Sequence, residues 1–262
     1  MTNPSSIGDR AAAKPALPSA AILLLRDGPD GIDVLMQQKS QTVGAFAGML
    51  TFPGGKLGPE DHGAELQART HGIADDTPEL AANKIAAIRE AFEECGVLLA
   101  RDAAGQTVDA TGDSREGNFA ALVAARKLKL AADLLVPFAH WITPEFAPRR
   151  FDTWFFLAPF PGAQVARHDV GGEMDDTIWT TPADAIAATD AKQRAMMFAT
   201  RAILMRLAES RTVAAALARA RHAQILPVMP FKVETPAGPM LRIRDDAGYA
   251  LTEVTLAVGA GR

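Results

Sequence analysis

Apolar and polar positions fall along the chain in blocks that predict strands and helices in turn. Residues 20–25 and 32–38 are apolar runs, and between them Arg26-Asp27-Gly28-Pro29-Asp30-Gly31 is a cluster of turn formers. The pair predicts a β-hairpin. A glycine-spaced stretch at 44–48 then leads into Leu50-Thr51-Phe52-Pro53-Gly54-Gly55-Lys56-Leu57, an extended segment broken by a sharp bend. Thr77-Pro78-Glu79 combines a hydroxyl cap, a proline at the first helical position and a carboxylate in the first turn, and Gly96 supplies the matching stop. A helix is therefore predicted from 78 to 95. Beyond it the pattern predicts a helix over 119–132, a partly extended segment over 134–142 and a buried strand over 151–158. Helices follow at 182–188, 192–209 and 212–222. In the second of these Met196, Met197, Ala199, Ile203, Leu204 and Leu207 recur at mixed helical spacing, and the two methionines are read as helix packing. From 225 onward strand-like residues return, with turns at 236–238 and 245–248.

Residues 1–18 mix Pro, Ala, Ser and single charges with no apolar period, which predicts a flexible leader. There is no internal repeat and no obvious linker, so residues 19–262 are read as a single domain. Strands and helices interleave without the regular alternation of a doubly wound fold. The expected class is α/β, with a mixed sheet packed between helices.

Composition narrows the chemistry. A hydrophobic fraction of 48% with 22% charged residues is that of a globular chain. The net charge of -4 leaves no general basic field, so neither a nucleic acid nor an anionic membrane is an expected partner. One cysteine, Cys95, excludes an internal disulfide and a multi-cysteine zinc site. The apolar run at 20–25 is too short for a signal-peptide core or a membrane span, and the chain ends in Gly261-Arg262 rather than in a peroxisomal tripeptide, so cytoplasmic residence is expected. The five histidines are scattered without metal-ligand spacing.

The informative segment is Arg89-Glu90-Ala91-Phe92-Glu93-Glu94-Cys95-Gly96-Val97. On a helical wheel Ile85, Ile88, Phe92 and Cys95 share one face, and Glu90, Glu93 and Glu94 lie on the opposite one. Like charges at i+3 and i+4 destabilise a helix, and a helix C-terminus is already partially negative. A solvated acidic face is the bland reading. A hard divalent cation among the carboxylates would relieve the repulsion, and Arg89 is placed to pair with Glu93 at i+4.

Taken with the Gly54-Gly55 bend, Arg89 to Val97 resembles the Nudix hydrolase signature, which runs from a glycine through an acidic residue to R-E-U-x-E-E-x-G-U, where U is aliphatic. Counting from Gly55, the acidic position is Asp61, and 27 residues (62–88) then stand before Arg89 where the family normally has seven. Residues 62–81 are thus an insertion inside the box. This resembles the branch of peroxisomal coenzyme A diphosphatase-like Nudix proteins, as do Trp141-Ile142-Thr143-Pro144, Arg149-Arg150-Phe151-Asp152-Thr153-Trp154-Phe155-Phe156 and the tail at 227–249. Of an upstream motif found in coenzyme A-cleaving members, Ser40, Gly48 and residues 52–55 fit, while Gly44 stands where arginine is expected.

The resemblance implies a Nudix α/β/α sandwich with extra C-terminal helices and an extension from about 190. It also implies a hydrolase cutting a diphosphate linkage in a nucleotide-like small molecule. Gly55, Glu90, Glu93 and Glu94 would hold Mg2+ or Mn2+, with Glu90 and Glu93 catalytic. The water-activating base is either Glu90 or Glu173, the latter lying with Asp175 and Asp176 ahead of Trp179. Arg149 and Arg150 are candidates for binding substrate phosphate, against an ordinary strand-end pair tied to Asp152. Coenzyme A or an acyl-CoA is the leading substrate; ADP-ribose, NADH or another nucleoside diphosphate derivative is the alternative. A non-catalytic ligand sensor would have no need of every box carboxylate, and a di-iron site would need Glu-x-x-His repeats that are absent. A homodimer is left open.

Overall fold

The computed structural model describes residues 14–39, 48–115, 117–162, 164–167 and 174–256. The chain opens with β1 (Leu17–Gly28), β2 (Gly31–Lys39), β3 (Met49–Thr51) and β4 (Gly54–Lys56), followed by a 3-10 turn at Pro59–His62. Next come α1 (Ala64–Ala68), β5 (Thr70–His71), α2 (Pro78–Cys95) and β6 (Ala100–Arg101). The middle contributes α3 (Phe119–Ala125), β7 (Lys129–Ala131), β8 (Val136–Ile142), β9 (Phe151–Pro159) and β10 (Met174–Thr180). Then follow α4 (Pro182–Asp190), β11 (Ala195–Met196), α5 (Phe198–Leu207) and α6 (Val213–His222). The chain finishes with β12 (Pro227–Val228), β13 (Phe231–Thr235), β14 (Gly238–Arg242) and β15 (Glu253–Thr255).

The main sheet is mixed and runs β11-β3-β2-β1-β9-β8-β12, with β10 also on β2 and β4 also on β1. The predicted hairpin forms, Gly28 facing Gly31 across a Pro29-Asp30 turn. β1 is parallel to β9 and lies at the centre, which explains its near-continuous apolar run. Ala20, Ile22 and Leu24 pack on one side with α2, while Ala21, Leu23 and Leu25 pack on the other with α5 and α6. Helices therefore cover both faces, giving the expected α/β/α layering. Two small sheets, β13-β14-β15 and β5-β7-β6, lie outside the main one.

Four local expectations change. Leu17 and Pro18, read as leader, pair with Phe151 and Asp152 and begin β1; residues 1–13 lie outside those described. The helix over 119–132 stops at Ala125, because Lys127 turns to φ 52° and Leu128 and Leu130 are then buried, Leu130 in a strand pairing with β5 and β6. The helix over 192–209 is cut to α5, since Lys192 sits at φ 58° and residues 195–196 pair with β3 instead. Met196 is accordingly in a strand and Met197 is a 39% exposed N-cap, so neither methionine packs inside a helix. Strand pairing satisfies the backbone of these short segments, which an apolar period cannot reveal.

Candidate active site

α2 is built as its sequence demands. Thr77 Oγ1 accepts from Leu80 N at 3.2 Å, Pro78 occupies the first turn, and Gly96 closes the helix at φ 69°. Ile85, Ile88, Phe92 and Cys95 are buried against Ile22, Leu24 and Phe156. Cys95 is an inert core thiol whose pKa burial pushes well up.

The glycine bend passes directly under the acidic end of this helix. β4 pairs with β1, placing Gly55 opposite Ala20 and Gly54 opposite Ala21. A Cβ on Gly55 would lie 2.6 Å from the Glu90 carboxylate, and one on Gly54 would lie 2.5 Å from Ala20 O. Only glycine lets backbone and carboxylate come this close. Glu94 Oε2 in turn accepts from Gly54 N at 2.9 Å.

Arg89 organises the carboxylates. Its Nε and Nη2 bind the two oxygens of Asp61 at 3.0 and 2.8 Å, and Nη2 also donates to Lys56 O at 3.0 Å. Its Nη1 donates to Glu90 Oε1 at 2.8 Å and to Glu93 Oε2 at 2.9 Å. Burial opposes the Arg89 charge, but the hydrogen-bonded Asp61 and the nearby Glu90 and Glu93 outweigh it and hold the guanidinium above its usual range. For Glu90 burial dominates and Glu93 adds to it, so that despite Arg89 its pKa is pushed up to about 7. Glu93 is raised in the same direction, again chiefly by burial.

The expected site residues therefore divide. Gly55, Glu90, Glu93 and Glu94 are brought together, and Glu90 and Glu93 converge on one nitrogen. Among the described residues no three His, Cys, Asp or Glu side chains stand as a preformed metal set. Arg89 Nη1 occupies the point between two of the carboxylates and Gly54 N occupies one oxygen of the third. That nitrogen is a stand-in cation: two oxygens, on half-buried carboxyls, aimed at a single positive group. These are hard oxygen donors of the kind that suit Mg2+ or Mn2+. Glu173 lies outside the described residues, as do Ser40 and Gly44. Arg149 is exposed. Arg150 donates to Thr143 O at 3.1 Å and to Lys14 O at 2.6 Å, tying the start of β9 to neighbouring backbone; Asp152 pairs with His140 instead.

That His140 group is what sequence reasoning missed. His140 Nε2 meets Asp152 Oδ1, and the imidazole stacks on Trp154 with centroids 4.3 Å apart. Register carries the row His140, Trp154, Ala20, Gly55 across four strands, so these positions share the face onto which Glu90 turns. The only advance signal was period-two spacing within each strand, which does not say which strands are neighbours.

The family model described as the NUDT19 Nudix domain matches residues 57–199, more than half of the 262-residue chain. A crystal structure of a NUDIX hydrolase from Alicyclobacillus acidocaldarius superposes with a TM-score of 0.68 at 29% identity, covering 78% of this chain and 96% of that one. The NUDIX domain of Shewanella oneidensis NrtR, solved with ADP ribose, matches at 13% identity and a TM-score of 0.39 over 73% of this chain and 86% of that one.

Proposed function

Since the chain belongs to the Nudix hydrolase family, and is a hydrolase of nucleoside diphosphate-linked substrates, we propose that it cleaves coenzyme A or an acyl-CoA to 3',5'-ADP and (acyl-)phosphopantetheine. The chemistry rests on one observation, the convergence of Glu90 and Glu93 on the single Arg89 nitrogen above Gly55. The substrate assignment leans on the description of the matching family model and on the insertion between Asp61 and Arg89.

In this reading Glu90, Glu93, Glu94 and the Gly55 carbonyl hold Mg2+ or Mn2+. The metal, when bound, supplies neutralisation of the diphosphate oxyanions and of the leaving phosphate. Glu90 takes the proton of the attacking water, its carboxylate lying directly over the glycine bend. The new P–O bond forms as the bridging P–O bond breaks, and the electron pair leaves on the departing phosphate. Glu173 is the alternative base. Arg149 reaches for substrate phosphate, while Arg150 keeps the start of β9 in place.

Two measurements test this. Purified protein with Mg2+ or Mn2+ is incubated with coenzyme A, acetyl-CoA, ADP-ribose and NADH, and products are identified by mass spectrometry. Coenzyme A or its thioester should disappear fastest; cleavage of ADP-ribose with coenzyme A untouched overturns the substrate assignment. Metal uptake should also depend on pH, because a ligand carboxylate must be ionised. With Glu90 at about 7, Mn2+ affinity should fall about tenfold from pH 8 to pH 6. Stability of the metal-free protein should run the other way. The folded pKa lies above the ordinary 4.5, so stabilisation through Glu90 grows as pH falls from about 7 toward 4.5 and is lost as pH rises again. A flat Mn2+ titration across this window removes Glu90 from the ligand set.

A further inference from the structure

Glu94 is gripped on its side chain and its backbone by three separate segments. Its Oε2 accepts from Gly54 N at 2.9 Å, and its carbonyl oxygen accepts from Gln37 Nε2 at 3.3 Å and from Arg115 Nη1 at 3.2 Å. A helix end leaves its last carbonyls in need of partners. Three other carbonyls of this turn are met by backbone: Ala91 O accepts from Val97 N, Phe92 O from Gly96 N and Cys95 O from Arg167 N. Arg115 alone would satisfy the Glu94 carbonyl, with a charge that also suits a helix C-terminus.

Gln37 is therefore surplus to capping. It is fully buried, and its Oε1 has no partner among the described residues. A buried acceptor left unsatisfied is destabilising, whereas an apolar side chain of similar shape at such a position is nearly neutral or better. On its face of the sheet Thr177 of β10 and Thr51 of β3 stand directly across from it, with Leu35 and Trp179 one pair further along. What Gln37 does gain is a connection. Its own backbone pairs with Thr51, three residues before Gly54, while its side chain reaches the last turn of α2. One residue thus ties the strand leading into the glycine bend to the helix end above it.

We propose that Gln37 is a positioning residue for Glu94, fixing the last turn of α2 against the Gly54-Gly55 bend so that the Glu94 carboxylate stands where it joins Glu90 and Glu93 on a divalent cation. This rests on the metal role given above to those glutamates. Groups behind metal ligands commonly alter affinity tenfold or more when removed. They need not contribute to stability at all.

Gln37→Leu separates the two effects. Its Mn2+ dissociation constant, read by calorimetry without substrate, should rise about tenfold over the wild type, and its melting temperature should be unchanged or higher. Arg115→Ala, which leaves Gln37 in place, should weaken Mn2+ binding less. Unchanged Mn2+ affinity in Gln37→Leu overturns the proposal. So does a lower melting temperature or failure to fold, because Gln37 would then be an ordinary stabilising contact. If the wild type itself takes up no Mn2+ at pH 8, the metal role of the glutamates is refuted together with this inference, whereas loss confined to Gln37→Leu supports both.

Discussion

Glu93→Gln should lower kcat by at least about 100-fold while leaving the melting temperature of the metal-free protein within a few degrees of the wild type. The two halves of this result have different causes. Glu93 sits in the last turn of α2 with its side chain 31% exposed, so the amide is easily housed. Removing its charge takes a repulsive neighbour away from Glu90, which compensates for the weaker bond that Arg89 Nη1 then donates to a neutral amide oxygen. In the proposed reaction, by contrast, Glu93 would help to hold the divalent cation, and a neutral amide would not replace its charge. Glu94→Gln should behave alike, because its amide can still accept from Gly54 N through Oε1. Circular dichroism and steady-state kinetics on the same preparations check the pair. Near-normal turnover in both variants removes the metal-site reading of the box.

Asp61→Ala should have the largest effect on stability, about 3–5 kcal/mol, which for a chain of this size is roughly 10 °C in melting temperature. Asp61 is fully buried and takes two bonds from Arg89, itself nearly buried, while its Oδ2 also accepts from Gly58 N at 2.7 Å. Alanine leaves the guanidinium without its principal partner. Arg89 would then lean on Glu90 and Glu93, so metal binding should weaken as well. Urea unfolding measures the first consequence and Mn2+ titration the second. A destabilisation below about 1 kcal/mol, the range of exposed pairs, would mean that Asp61 is not the anchor its geometry implies.

The Asp61–Arg89 pair also explains how the box tolerates its insertion. The 27 intervening residues fold back as α1 and β5 and then lead into the early turns of α2. β5 pairs with β7, and Lys84, buried within α2, holds Asp76 at 2.6 Å. The two halves of the site are brought together by these contacts and not by their distance along the chain. A closure of this sort costs little extra entropy with loop length.

Much of the fold was legible because its signals are local. The Pro29-Asp30 turn, the Thr77 cap, the Gly96 stop and the run at 151–158 each act within a few residues of themselves, and each element formed where expected. The grouping of Glu90, Glu93 and Glu94 is local in the same way, since i+3 and i+4 spacing is a property of one helix. The failures at 126–132 and 192–197 are places where a distant strand offered pairing that outweighed helical propensity.

The chain by itself thus determined the acidic helix and the glycine bend. Only the tertiary structure decided that Asp61 closes on Arg89, that Gln37 and Arg115 reach the Glu94 carbonyl, and that His140, Asp152 and Trp154 share the face beneath Glu90. Spacing along one element fixes which side chains point the same way. Which elements become neighbours, and hence which charges are buried together, depends on how the whole core packs.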